Sequence, residues 1–102
     1  MTEMRREEIF KLAAKKWGKT SQLIVALEEL SELQVEIAKH LNGKRPDISG
    51  LVDELADVRI MVGQIEHHFK CGHLVAARKG FKLEKLLQMV NEPGKDHPVR
   101  SR

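Results

Sequence analysis

The chain has 102 residues, 41% of them hydrophobic and 32% charged, with a formal net charge of +3. That length provides for one domain with limited capacity to bury a core of its own, so the fold is expected to complete itself as a homodimer or homotetramer. No apolar run approaches the roughly 20 residues that span a bilayer, the charged start through Glu8 lacks the apolar stretch of a signal peptide, and the single Cys71 cannot make an internal disulfide, which together point to a cytoplasmic protein without a membrane partner.

Thr2 to Trp17 carries Ile9, Phe10, Leu12, Ala13 and Trp17 at helical spacing and stops at Gly18. Thr20 or Ser21 is then placed to cap a second helix running to about Leu41, with Leu23, Leu27, Leu30, Ile37 and Leu41 on one stripe and Ala26 and Leu33 widening it, before Asn42-Gly43 offers a left-handed stop. Pro46 excludes helix at the preceding residue, and Asp47 can cap the third helix. In that helix Ile48, Leu51, Leu55, Val58, Val62, Ile65 and Phe69 step by alternating three and four, the seam of a bundle helix, with Gly72 as the expected end. A last helix through Leu74, Phe81, Leu83, Leu86 and Val90 is expected to break at Gly80 and to close at Pro93-Gly94. No strand alternation and no internal repeat is visible, so the fold class is all-α: a single bundle domain over 1–92 followed by a flexible polar tail over 93–102. Much of the positive excess lies in that tail, the other bases are interleaved with acids, and Trp17 and three phenylalanines are the only aromatics, so stable nucleic-acid binding is not expected.

Two acidic pairs stand out. Glu29-Leu30-Ser31-Glu32 and Glu54-Leu55-Ala56-Asp57 each place two carboxylates about 60° apart around a helix and about 4.5 Å apart along it. One such pair is commonplace on an exposed helix. Here both pairs border apolar seams, and from Glu28 to Glu36 the second helix carries Glu28, Glu29, Glu32 and Glu36 with no Lys or Arg. Packed antiparallel across the Lys44 to Asp47 loop, the two helices would bring four carboxylates together, a charge density that asks for a hard divalent cation. Mg²⁺ is the expected ion, with Mn²⁺ as a substitute.

Leu27-Glu28-Glu29-Leu30-Ser31-Glu32-Leu33 followed by Asp53-Glu54-Leu55-Ala56-Asp57-Val58 resembles the paired ExxE and ExxD motif of the MazG-like all-α nucleoside triphosphate pyrophosphohydrolases, a superfamily that includes the dimeric dUTPase-like enzymes. Trp17-Gly18 with Gln22 ahead of the first acids, Ile60-Met61-Val62 with Gln64 after the second, and Lys82-Leu83-Glu84-Lys85-Leu86 extend the likeness over about Trp17 to Val90. The resemblance implies a MazG-like four-helix core in which Glu29, Glu32, Glu54 and Asp57 hold Mg²⁺ against the triphosphate of a nucleotide. The implied reaction is hydrolysis between the α and β phosphates, giving a nucleoside monophosphate and pyrophosphate in nucleotide-pool house-cleaning. Glu29 or Glu32 is the candidate general base. Lys82, with Lys79 and Lys85, matches the family's basic positions for phosphate, and Trp17 and Gln22 are candidates to cover and hydrogen-bond a base.

Three other readings compete. His67, His68, Cys71 and His73 suggest zinc, although their spacing matches no common zinc pattern. A non-catalytic homodimeric helical module would account for the third helix's seam while leaving the base-free acidic face unexplained. Within the superfamily, a phosphoribosyl-ATP pyrophosphohydrolase would be expected to continue with aromatics after ExxD, where this chain has Val58-Arg59-Ile60-Met61.

Overall fold

The computed structural model describes residues 3–43 and 47–92, with side chains from residue 5 onward. The expected tail over 93–102 and the Lys44 to Pro46 part of the loop lie outside the described residues. The protein is all-α, with helices α1 (Glu3–Trp17), α2 (Lys19–Leu41), α3 (Ser49–Phe69) and α4 (Gly72–Val90). It forms two compact units, Met1–Lys70 and Cys71–Arg102.

The junctions explain why the helices begin and end where they do. Gly18 alone turns the chain between α1 and α2, with φ 84° and ψ 161°, a left-handed conformation that any side chain would strain. Its carbonyl accepts the Gln22 amide at 3.2 Å. The expected Thr20 or Ser21 cap is therefore not used: α2 starts earlier, at Lys19, and no side chain caps it. At the other end Asn42 returns its N–H to Ala38 O at 3.0 Å and Gly43 takes φ 69°, the left-handed stop expected of Asn-Gly. Asp47 Oδ1 accepts from both the Ser49 amide (3.0 Å) and the Ser49 hydroxyl (2.6 Å), which pins the start of α3 behind Ile48. Gly72 does not end α3. Lys70 does so two residues earlier, at φ 51°, and Gly72 instead opens α4, which continues through Gly80 without a break. A single interior glycine costs a helix only about 1 kcal/mol, and good helix formers such as Ala76, Ala77, Arg78, Lys79 and Lys82 flank this one.

In the first unit α2 and α3 pack antiparallel and α1 lies against both. Phe10 (4% exposed) and Ala13 from α1 meet Ala26 from α2 and Met61 from α3 in a small core. The absence of a side chain at Gly63 sets the α1 to α3 distance. A Cβ there would lie 2.9 Å from Phe10 Cε2 and 2.5 Å from an Arg6 guanidinium nitrogen. Arg6 itself sits 5.0 Å above the Phe10 ring.

The packed faces differ from the expected seams. On α2 Gln22 and Ala26 are buried and Leu23, Glu29, Leu33, Glu36, Lys39 and His40 half-buried, so the inward line through Gln22, Ala26, Glu29, Leu33 and Glu36 keeps Ala26 and Leu33 of the expected stripe and adds the acids. Leu27 (66% exposed) and Leu41 (83%), with Leu30 and Ile37, remain outside it. On α3 the inward line is Glu54, Val58, Met61 and Ile65, whereas Leu55, Val62 and Phe69 of the expected seam are exposed. Small Ala26 lets the helices approach along a line that includes the acids, so the apolar flanks are left uncovered.

The second unit contains α4. Leu74, Val75, Leu83 and Leu86 form a shallow apolar face edged by Arg78, Lys79 and Lys82, and the Arg78 guanidinium lies 5.1 Å from the Phe81 ring centre.

Candidate metal centre

The acids of α2 and α3 meet across the helix pair. Glu29, Glu54 and Asp57 each offer one oxygen to a set whose members all lie within 4.8 Å of one another. Position 29 belongs to the inward stripe of α2, position 54 to that of α3, and Asp57 stands one turn beyond Glu54 on the same side. The set is graded in depth: Glu54 is buried at 8% exposure, Glu29 is half-buried, and Asp57 is open to solvent. Glu32, exposed one turn along α2 from Glu29, falls outside the set. It still comes close enough to Glu54 to perturb it.

The Glu54 carboxyl is pushed up to about 8 from an ordinary 4.5. The largest cause is a hydrogen bond shared with Glu29, which a protonated Glu54 can make; burial follows, then a second such bond with Glu32 and the repulsion of both neighbouring carboxylates. Oε2 of Glu54 and Oε2 of Glu29 are nevertheless buried without a hydrogen-bond partner. Orphaned carboxylate oxygens and crowded negative charge, with oxygen as the only donor type, suit a hard divalent cation.

Two helical turns from the acids, an open groove of about 340 Å³ lies between the same helices. Trp17 and Gln22 line it together with Val25, Ile60, Met61 and Gln64. Seven residues separate Gln22 from Glu29 and seven separate Glu54 from Met61, so the groove and the carboxylates are about 10 Å apart along both helices. Trp17 holds its place at the end of α1 through the Gly18 turn, and its ring has the Lys16 ammonium 5.4 Å from its centre. Gln22 is 5% exposed, and His68 Nε2 donates to its Oε1.

Lys79, Lys82 and Lys85 all belong to the second unit and are exposed on α4. Of the histidine and cysteine residues considered for zinc, His67 Nδ1 donates to Glu7 Oε2 at 3.1 Å and His68 is engaged with Gln22. Burial, followed by the charges of His67 and Lys19, holds His68 below the usual histidine range. Lys19 also reaches over the Phe69 ring, 4.0 Å from its centre. The role of His68 beside Gln22 could not be read from the chain, since 46 residues separate them and only the helix register joins them. Searched against protein-family models, curated proteins and solved structures, the chain matches none of them.

Proposed function

We propose that the protein is a Mg²⁺-dependent nucleoside triphosphate pyrophosphohydrolase of the MazG-like kind, which cleaves (d)NTPs between the α and β phosphates as a cytoplasmic house-cleaning enzyme. One observation carries the reading: Glu54 is buried, its Oε2 has no partner, and oxygens of Glu29 and Asp57 lie within 4.8 Å of its own ligand oxygen. Such a carboxyl in a purely structural helix interface is costly, and an apolar residue of similar size would serve better there.

Glu29, Glu54 and Asp57 would hold the ion, with Mn²⁺ as the substitute. Bound there, it would neutralise phosphate oxygens and lower the pKa of a water molecule. Glu32 is exposed at the rim and outside the converging trio, which makes it the preferred group to take the water's proton, ahead of Glu29. The water oxygen bonds to the α-phosphorus, the bridging bond to the β-phosphate breaks, and pyrophosphate leaves with that electron pair. The groove beside Trp17 and Gln22 would take the base, at a distance from the acids that matches the extent of a nucleoside. Lys79, Lys82 and Lys85 enter as phosphate-binding cations on the family resemblance. A homodimer or homotetramer belongs to the same reading, because Leu27, Leu30, Ile37 and Leu41 leave α2 with more apolar surface than a lone small domain usually exposes.

The test is to incubate the purified full chain with a panel of NTPs and dNTPs, with and without Mg²⁺, and to assay pyrophosphate. Mg²⁺-dependent release is expected. No release from any nucleotide, together with no Mg²⁺-dependent rise in melting temperature, would favour the non-catalytic module.

A further inference from the structure

The Gln22 side chain sits at a junction of two environments. It lines the groove, and it is also 95% withdrawn from solvent against α3, where His68 donates to its carbonyl oxygen. A primary amide has one acceptor end and one donor end, and an unconstrained glutamine can present either. With Oε1 turned toward His68, the amide nitrogen is the end directed away from it. The groove's other polar groups carry no such constraint: the Ser21 hydroxyl donates or accepts alike, and the Gln64 amide can turn.

We propose that His68 is a positioning residue for base selection: by holding the Gln22 carbonyl, it fixes Gln22 as a hydrogen-bond donor to the groove, which therefore prefers bases bearing a ring carbonyl over their amino counterparts. This rests on the reading that the groove receives the nucleobase. The surroundings of His68 favour its neutral form. Lys19 from α2 and its neighbour His67 on α3 both disfavour a charge on it, while Glu7 from α1 is taken up by His67. Because Gln22 Oε1 can only accept, the hydrogen of the neutral ring sits on Nε2, and the charged ring donates to the same oxygen. An amino base brings a second donor against the Gln22 N–H, and that unmatched pair costs discrimination that a carbonyl base does not suffer.

The chain contains a single tryptophan, and it lines the groove, so fluorescence reports occupancy independently of turnover. The probes are the α,β-methylene analogues of UTP, CTP, ITP and ATP in the presence of Mg²⁺, which present carbonyl and amino groups at matching ring positions and resist the proposed cleavage. Wild-type protein is expected to bind the UTP and ITP analogues about tenfold more tightly than the CTP and ATP analogues. His68→Ala should bring each ratio to within about twofold, and His68→Lys, whose ammonium can only donate to the Gln22 carbonyl, should restore it. Gln22→Glu turns the groove-facing end into an acceptor and should reverse the preference. Should His68→Ala fail to fold by circular dichroism, that reversal decides the matter. Equal binding of all four analogues, a preference that survives His68→Ala, or an unchanged preference in Gln22→Glu overturns the assignment while leaving the nucleotide reading intact. If no analogue changes the fluorescence of Trp17, the nucleotide reading itself falls and this assignment with it.

Discussion

Glu54 is the group whose titration should expose the cation site. Its carboxyl rises to about 8 because Glu29 and Glu32 crowd it in a buried position. At pH 7 it is therefore protonated roughly ten times as often as it is ionised, and a cation must displace that proton to use the oxygen. The apparent metal dissociation constant should accordingly be about elevenfold weaker at pH 7 than well above pH 8, and about a hundredfold weaker at pH 6. Isothermal titration of Mn²⁺ into the full chain at pH 7, in Hepes and in Tris, gives the proton count from the difference in heats. About 0.9 proton per ion should be released, and Glu54→Gln should abolish the release. The same proton governs the metal-free protein. A carboxyl whose pKa rises on folding stabilises the fold fully below its ordinary 4.5 and loses that contribution as the pH rises through about 8. Between pH 7 and 9, above the range in which the depressed His68 titrates, the metal-free melting temperature should fall, and Mg²⁺ should flatten the fall. Heats independent of buffer, or an affinity that changes less than about twofold between pH 6.5 and 8, would refute the reasoning.

The packing and the acids carry further expected outcomes. Gly63→Ala should destabilise by about 1 to 2 kcal/mol in urea unfolding, since the Phe10 ring must move by more than helix propensity returns; increased stability would show that Phe10 does not hold α1 close against α3. Lys70→Gly should raise stability by about 0.5 to 1 kcal/mol through relief of the left-handed strain at the end of α3, read as a higher urea midpoint. Glu29→Gln and Asp57→Asn should each remove most pyrophosphate release with unchanged helical circular dichroism, and near-normal turnover in either variant would take that residue out of the site.

The helices were legible because three-and-four spacing survives even where individual residues are polar. Their ends were legible wherever backbone chemistry is local. Asn42-Gly43 acted as its conformational freedom dictates, whereas Asp47 grips Ser49 from one residue outside the N-cap, which is Ile48 and carries no side-chain cap. Lys70 was not legible, because a lysine in the left-handed region is held there by its bonds to Glu66 and His67 carbonyls and not by any preference of its own. The meeting of Glu29 with Glu54 and Asp57 was readable from carboxylate spacing and an antiparallel hairpin. The rotation of α2 was not. An apolar stripe gives the side a helix buries, and Ala26 and Leu33 at its edge do face inward; the helix is turned further toward the acids, so Leu27 and Leu41, placed inward by periodicity, stand outward in the fold. Glu32 illustrates the finer limit: one turn from Glu29 on the same helix, it is exposed and falls outside the converging trio while still reaching Glu54.

That Gln22, Glu29 and Glu54 occupy the inward stripes has an evolutionary consequence. Where a site hangs on loops, a scaffold can be strengthened without touching its chemistry. In this helix pair the positions that would strengthen the scaffold are the chemical ones. Leucine at 29 or 54 would remove crowded charge and fill an interface that now holds orphaned oxygens, a change of the sort that commonly raises stability. Selection for heat resistance alone should therefore drift toward replacing these acids, and their persistence under such selection would require that activity be demanded at the same time.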